Sequence, residues 1–394
     1  MSEQNLNLEN TDTRLASNGM KVLIATGLYP PEIGGPATYA LLLEDELPKK
    51  GVAVVIIPFG WVRHYPKIIR HIVYAYKLWQ ESKDADIIYA LDPISVGIPA
   101  LLISRLRRKK FIIRLGGDYA WEQGRGRFGL TETLDEYLTG STKRPLMVKV
   151  FAALQSYVTK RATKVVAPSE YLKSVIMQWG VKPENIAVIY SALYPLSVEG
   201  TKEELHEQLS FTSPTIVSAG RLVPWKGFAV LIEVVAKLKE KYPEITLVIT
   251  GDGEEQDTLM AKAEAEDVTP QVRFVGRLSK DALGASIKGA DVFVLNTAYE
   301  GLSHQLLEVM DLGTPIVTTT AGGNPELIMN DVSGILVPFN DAQALQAAIV
   351  RILEHPETSS RMVQSARARS REFSQVTMLE TLASFLNTIH EQST

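Results

Sequence analysis

Eleven short, unbroken apolar runs limit what this chain can become. KVLIAT (21–26), VAVVIIP (52–58), DIIYAL (86–91), KFIIRL (110–115) and KVVAPS (164–169) come first, separated by stretches of helical period. After Pro195 the chain turns polar, and the rhythm restarts with TIVSAG (215–220), TLVIT (246–250), VRFVG (272–276), DVFVLN (291–296), PIVTT (315–319) and GILVP (334–338). Runs that are apolar at nearly every position are buried on both faces, as in a parallel sheet covered by helices. Two such sets in 394 residues predict an α/β fold with two doubly wound parallel-sheet domains, over residues 20–197 and 198–370. Ligands of open sheets gather at strand carboxyl ends, so the site is expected in the cleft between the domains. Residues 371–394 read as a closing helix that crosses back to the first domain, and the polar residues 1–19 as a disordered tail.

With no cysteine, thiolate metal sites, disulfides and thiol nucleophiles are excluded. No run of about 18 apolar residues and no basic-then-apolar leader is visible, so a cytoplasmic setting is the expectation. Charge is divided unevenly: residues 20–197 carry 24 Lys and Arg against 15 Asp and Glu, while residues 198–394 carry 16 against 27. The basic half has two readings, chance surface drift or a face for an anionic partner. Within it, WVRHYPKIIRHIVYAYKLWQ (61–80) mixes Lys67, Arg70, His71 and Lys77 with Ile, Val, Tyr and Trp, and RLRRKK follows at 105–110. An amphipathic helix of this kind either packs its apolar face on a core or lies on an anionic membrane. Nucleic acid is not an expected partner, because no reader motif is visible and the second half is acidic.

Two segments carry candidate chemistry. In AYEGLSHQLLEVMDLGTPIV (298–317), Glu300 lies in the loop after an apolar run and Glu308 on the helix that follows. Ser303 is a suitable cap, leaving the amides of His304, Gln305 and Leu306 to face the cleft. A helix start attracts anions, whereas two neighbouring carboxylates suit the hydroxyls of a sugar or ribose. In VSAGRLVPWKGFAVLIEVV (217–235), Arg221 and Lys226 share one loop with Gly220 and Gly227, a pattern fit for a diphosphate. Asp84-Ala85-Asp86 matches a metal-binding D-x-D pattern, but an acidic turn entering a buried strand is the simpler reading.

The pairing of G-R-L-x-x-x-K-G with a later E-G-x-x-x-x-x-x-E resembles the carboxyl-terminal half of the retaining GT-B glycosyltransferases, glycosyl transferases group 1. GDGEEQDTL (251–259), VRFVGRLS (272–279), AGGNPELI (321–328), GGPATY (34–39) and APSEYLK (167–173) extend the likeness over roughly residues 20–370. The resemblance implies two Rossmann-like domains around a central cleft and transfer of a hexosyl group, with retention, from a nucleotide-diphosphate sugar. It implies that Arg221 and Lys226 hold the diphosphate, that Glu300 faces the transferred sugar, and that Glu308 binds ribose. Ser303, His304 and Gln305 would line the sugar or phosphate, with Gly220 beside them. Arg273 to Gly276 would meet the base, and Gly34 and Gly35 would close over the phosphates.

Many relatives end the run matching KFIIRL with His-Gly, whereas this chain reads RLGGDYAWE. Asp118 is therefore placed among the catalytic candidates, either taking over the sugar contact or capping the next segment. IYSALYP (189–195) replaces an Asn-Gly turn and is expected to alter only the hinge. The resemblance implies no metal and no cofactor beyond the donor, since protein cations serve the leaving group. Its acceptor would be a glycan or lipid-linked saccharide of cell-surface polysaccharide or glycolipid synthesis, with peripheral contact to the inner face of a membrane. Two other functions fit the fold: a nucleotide-sugar 2-epimerase, which lacks the Glu300 and Glu308 arrangement, and a silent subunit that only binds the nucleotide sugar.

Overall fold

The computed structural model describes residues 19–392 apart from 33, 141 and 142; all but one residue of the tail expected over 1–19 lie outside the described residues. The first half forms strands β1 (Lys21–Thr26), β2 (Ala53–Pro58), β3 (Ile87–Ala90), β4 (Lys110–Arg114), β5 (Lys164–Ala167) and β6 (Ile186–Val188). They make one parallel sheet in the order β2-β1-β3-β4-β5-β6. The second half forms β7 (Thr215–Ala219), β8 (Thr246–Thr250), β9 (Val272–Gly276), β10 (Val292–Leu295), β11 (Ile316–Thr319) and β12 (Ile335–Val337). Their order is β12-β11-β10-β7-β8-β9, again parallel throughout. Each predicted run became a strand, and β6 is an addition that the sequence reading did not contain.

Alternation along the strands feeds a core on each face of each sheet. From β1, Leu23 and Ala25 join Tyr74, Leu78 and Trp121 on one side. Val22 and Ile24 join Leu43, Met378, Leu382 and Leu386 on the other, the last three supplied by the helix Gln375–Glu391. In the second half Ile216 packs with Leu231, Val235 and Ile349, while Val217 and Ala219 pack with Leu306, Met310 and Phe373. The terminal segment therefore stabilises the first sheet although it follows the second.

The strand order reverses between β1 and β3 in one sheet and between β7 and β10 in the other. Loops diverge at such switch points and leave a crevice outside the strand ends. Both crevices face the junction of the two halves, which is clasped by specific bonds. Ser169 Oγ donates to the Gly301 carbonyl at 2.6 Å. Glu326 accepts from the Glu170 and Tyr171 amides at 2.9 and 2.7 Å, setting a carboxylate at the start of the helix Glu170–Gln178. APSEYLK and AGGNPELI thus turn out to be opposite sides of one interdomain contact. Among the described residues no helix is long and apolar enough to cross a membrane.

Candidate active site

Everything at the site is arranged around the start of the helix His304–Leu312. Ser303 caps it, its buried Oγ accepting from the Leu306 amide at 3.3 Å. That bond uses the Leu306 amide, so of the three amides expected to face the cleft only His304 and Gln305 remain without an intrahelical partner. The two side chains diverge into different pockets. His304 lines a pocket of about 290 Å³ with Gly35, Tyr39, Arg114, Gly116, Glu122 and Glu300. Gln305 lines one of about 250 Å³ with Gly220, Arg221, Thr250, Gly251 and Arg277. A third cavity of about 600 Å³ opens beyond Arg221 and is lined by Glu122, Arg127, Trp225 and Glu254.

The loop after β7 and the loop after β10 are joined by an ion pair between Lys226 and Glu300, each only 17 % exposed. Lys226 reaches it because Gly227 adopts φ 56° to start the helix Phe228–Leu238, and a Cβ there would lie 2.6 Å from the Asn296 carbonyl. Arg221 is exposed, its guanidinium 5.7 Å from the Trp225 ring. Gly220 abuts the Lys226 side chain. Thus Arg221, Lys226, Glu300, Gly220, His304, Gln305 and Ser303 converge at one switch point. Gly34 caps the helix Gly35–Glu46, and Gly35 reaches the same pocket from the first half; a Cβ on Gly35 would meet nothing within 4 Å. Bareness at Gly35 leaves space in the pocket rather than relieving a clash inside the chain.

Glu308 sits one turn down the helix, half-buried, and loss of hydration raises its pKa to about 7, with Lys280 opposing. His304 moves the other way, to about 4, through burial and then the charge of Arg114. Burial thus disfavours the charged form of both side chains, one at the start of the helix and one a turn along it. Between the carboxyl's ordinary value and about 7 the folded protein holds a proton on Glu308 that the unfolded chain releases, so stability falls as pH rises through that window. Glu308→Gln should therefore raise the thermal midpoint relative to wild type at pH 8 and leave it unchanged near pH 4. Scanning calorimetry at the two pH values checks this, and equal midpoints at both would contradict the assigned environment.

Two sequence candidates lie elsewhere. Asp118 does not face the cleft: it is fully buried as the cap of the helix Tyr119–Phe128, accepting from the Trp121 amide at 2.9 Å and Gln155 Nε2 at 3.1 Å. Of the two roles left open for it, the structure gives it the cap. Arg273 is the second residue of β9, far from the carboxyl edge, and its guanidinium rests by Phe211 and the Ser210 carbonyl. Only the Gly276 end of β9 reaches the crevice, where Gly276 accepts from the Gly251 amide at 2.8 Å and is followed by Arg277, paired with Asp252. The D-x-D segment is equally remote: Asp86 precedes β3 and accepts from the Lys21 amide at 2.8 Å, at the amino ends of the strands.

Other site residues went unnominated. Arg114 ends β4, stands 4.2 Å from the Tyr39 ring and donates to Ser191 Oγ at 2.9 Å, so the altered IYSALYP segment shapes a pocket wall and not only the hinge. A cation closing an apolar run at the sheet edge was the available signal. Glu122 reaches cleft water while protein surrounds it otherwise; desolvation, then Asp118, lifts its pKa to about 7 against the pull of Arg221. It lies four residues after Asp118, one turn further along the same helix.

Residues 201–369 match the family model described as glycosyl transferases group 1, and residues 9–193 match that of glycosyltransferase family 4. Glycogen synthase of Mycobacterium tuberculosis is 34% identical over 154 residues, covering 39% of this chain and 37% of its own length. The lipopolysaccharide core biosynthesis glycosyltransferase LpsE of Rhizobium meliloti is 36% identical over 153 residues, 39% of this chain and 43% of its own. The chain thus matches about two fifths of the length of these curated relatives. In fold, the crystal structure of HepE from Anabaena in complex with UDP aligns over 94% of this chain and 100% of that one, with TM-score 0.75 and 21% identity. With both halves matched in turn and both sheets in place, the chain has the GT-B fold, its first half matching glycosyltransferase family 4 and its second half glycosyl transferases group 1.

Proposed function

We propose that this protein transfers a hexosyl group from a nucleotide-diphosphate sugar to the hydroxyl of a glycan or lipid-linked saccharide, with retention, in a cytoplasmic setting. The observation that carries the reading is the single helix start at His304, which separates a pocket holding Gly220, Arg221 and Gln305 from one holding Glu300, His304 and Gly35. A nucleotide fits the first, a hexose the second, and the diphosphate lies across the amides between them. Solved complexes of HepE with UDP and with UDP-glucose support the reading, since their fold is shared.

In the proposed reaction the bond from the anomeric carbon to the phosphate oxygen breaks, and its electron pair stays on the diphosphate. Arg221, Lys226 and the helix amides stabilise that charge. The acceptor oxygen attacks on the face the diphosphate leaves, and its proton passes to the departing phosphate oxygen, so no separate base and no metal are needed. Glu300 accepts hydrogen bonds from sugar hydroxyls and Glu308 from ribose.

A thermal-shift panel of UDP, GDP, ADP and TDP and their hexose conjugates, with EDTA or Mg²⁺, tests this. One nucleotide series is expected to raise the midpoint equally in both conditions. No shift with any donor would sink the reading, and a shift that needs Mg²⁺ would remove its metal-free part.

A further inference from the structure

The largest of the three cavities at the junction is left over once nucleotide and hexose are placed. Its volume of about 600 Å³ is roughly twice the 290 Å³ of the pocket given to the hexose, and Glu122 and Tyr299 line both. Tyr299 is 9 % exposed, and among the described residues its hydroxyl has no hydrogen-bond partner. Its ring packs edge to face on Trp121, the centroids 4.9 Å apart. An unpaired buried hydroxyl weakens a fold, so the ring serves packing and the oxygen does not. Gly117 sets Glu122 beside it: a Cβ there would collide with the Glu122 carboxylate and lie 2.8 Å from Tyr299 Oη. Gly116 adds room, since a Cβ on it would meet nothing within 4 Å. A carboxylate from the first half and a phenol from the second thus stand over one bare stretch of backbone, where the hexose pocket meets the larger cavity.

The rest of the lining decides what fills that cavity. Arg127 and Arg221 are matched by Glu122 and Glu254, so no net charge is left to draw in a phosphate or a polyanion. Trp225 is half-buried and offers apolar ring surface, backed by Trp121 with ring centroids 6.1 Å apart. An indole next to carboxylate, amide and guanidinium groups suits an uncharged saccharide, whose C–H faces need the one and whose hydroxyls need the others.

We infer that the large cavity receives the acceptor as an uncharged saccharide of more than one ring, and that Glu122 and Tyr299 hold the ring nearest the hexose. Glu122 accepts a hydrogen bond from the hydroxyl next to the attacking one, and Tyr299 donates to an oxygen of the same ring. The attacking hydroxyl keeps its own proton for the departing phosphate oxygen. Resting on the transferase reading, this assignment gives the helix Tyr119–Phe128 a share in choosing the acceptor.

The test measures release of nucleoside diphosphate from the donor found by thermal shift, in buffer alone and with p-nitrophenyl maltoside, lactoside or cellobioside. At least one of these uncharged disaccharides is expected to speed release by wild type roughly tenfold or more over release into water. Glu122→Gln should slow the stimulated release by roughly tenfold, chiefly through a higher KM for the disaccharide. Tyr299→Phe should slow it by a similar factor while its thermal midpoint equals or exceeds that of wild type, a combination that a purely structural hydroxyl would not give. Gly126 lines only the large cavity, and a Cβ on it would meet nothing within 4 Å, so Gly126→Trp should fill the cavity, keeping the donor shift and release into water but losing the stimulation. The inference is overturned if a donor shifts the midpoint yet no disaccharide speeds release, or if Glu122→Gln and Tyr299→Phe both respond as wild type does. A Tyr299→Phe midpoint well below wild type would return the hydroxyl to the fold and overturn its assignment. Absence of any donor shift in wild type is a separate result, which removes the transferase reading itself and the acceptor assignment with it.

Discussion

Lys226→Ala is expected to lower turnover by two to three orders of magnitude, about 3–4 kcal/mol of lost transition-state stabilisation, while the fold persists. The loss has two parts. A cation positioned at the diphosphate goes, and Glu300, which pairs with Lys226 across the two loops, is left as an uncompensated carboxylate at only 17 % exposure. Both changes oppose a charged leaving group at the same place. Because the charge grows as the bond breaks, kcat should fall more than KM rises. Glu308→Ala should also reduce donor affinity strongly, whereas Asp84→Ala, exposed and at the amino ends of the strands, should stay within a factor of two or three of wild type. Steady-state kinetics with the donor identified by thermal shift settles the matter: equal tolerance of all three would remove the site from this cleft.

Why the sequence showed some of this and hid the rest is a question of range. Runs such as TLVIT and KVLIAT are buried at nearly every position, so they announce strands without help from their neighbours. Strand Ile186–Val188 has three residues at a sheet edge, only the first of them buried, and nothing in that pattern separates it from a loop. Arg273 was misplaced by polarity: it enters its strand when only the leaving end, Gly276 and Arg277, reaches the crevice. Asp118 was ambiguous for a different reason, since a helix cap and a ligand contact both call for a short carboxylate just after a strand. Glu122 follows on the next turn, and whether a helical residue faces cleft or solvent depends on the second domain, which a local pattern does not contain. The same limit applies to the helix Lys67–Glu81, whose periodicity shows amphipathic character but not that Ile68, Ile72 and Tyr76 stay outside.

Gly322→Ala tests the tertiary support of Glu300, a feature with no local sequence signal. Gly322 adopts φ 59°, and a Cβ built on it would stand 2.1 Å from the Glu300 carbonyl oxygen. Its neighbour Gly323 donates its amide to that same carbonyl at 2.8 Å, and a Cβ there would come within 2.5 Å of the Gly301 carbonyl. The loop carrying Glu300 is thus held by backbone that passes too close for any side chain. Alanine at 322 meets backbone and not a movable side-chain end, so either the 321–323 turn or Glu300 must shift. The left-handed conformation alone costs about 1–3 kcal/mol for a residue with a Cβ. A displacement near 1 Å at Glu300 would uncouple it from Lys226 and cost about 100-fold in kcat. The expected result is therefore a lowered thermal midpoint together with a loss of turnover larger than the loss of folded protein explains. Activity per folded molecule equal to wild type would mean that the turn yields instead of Glu300, and that the glycines serve only to bring two loops together.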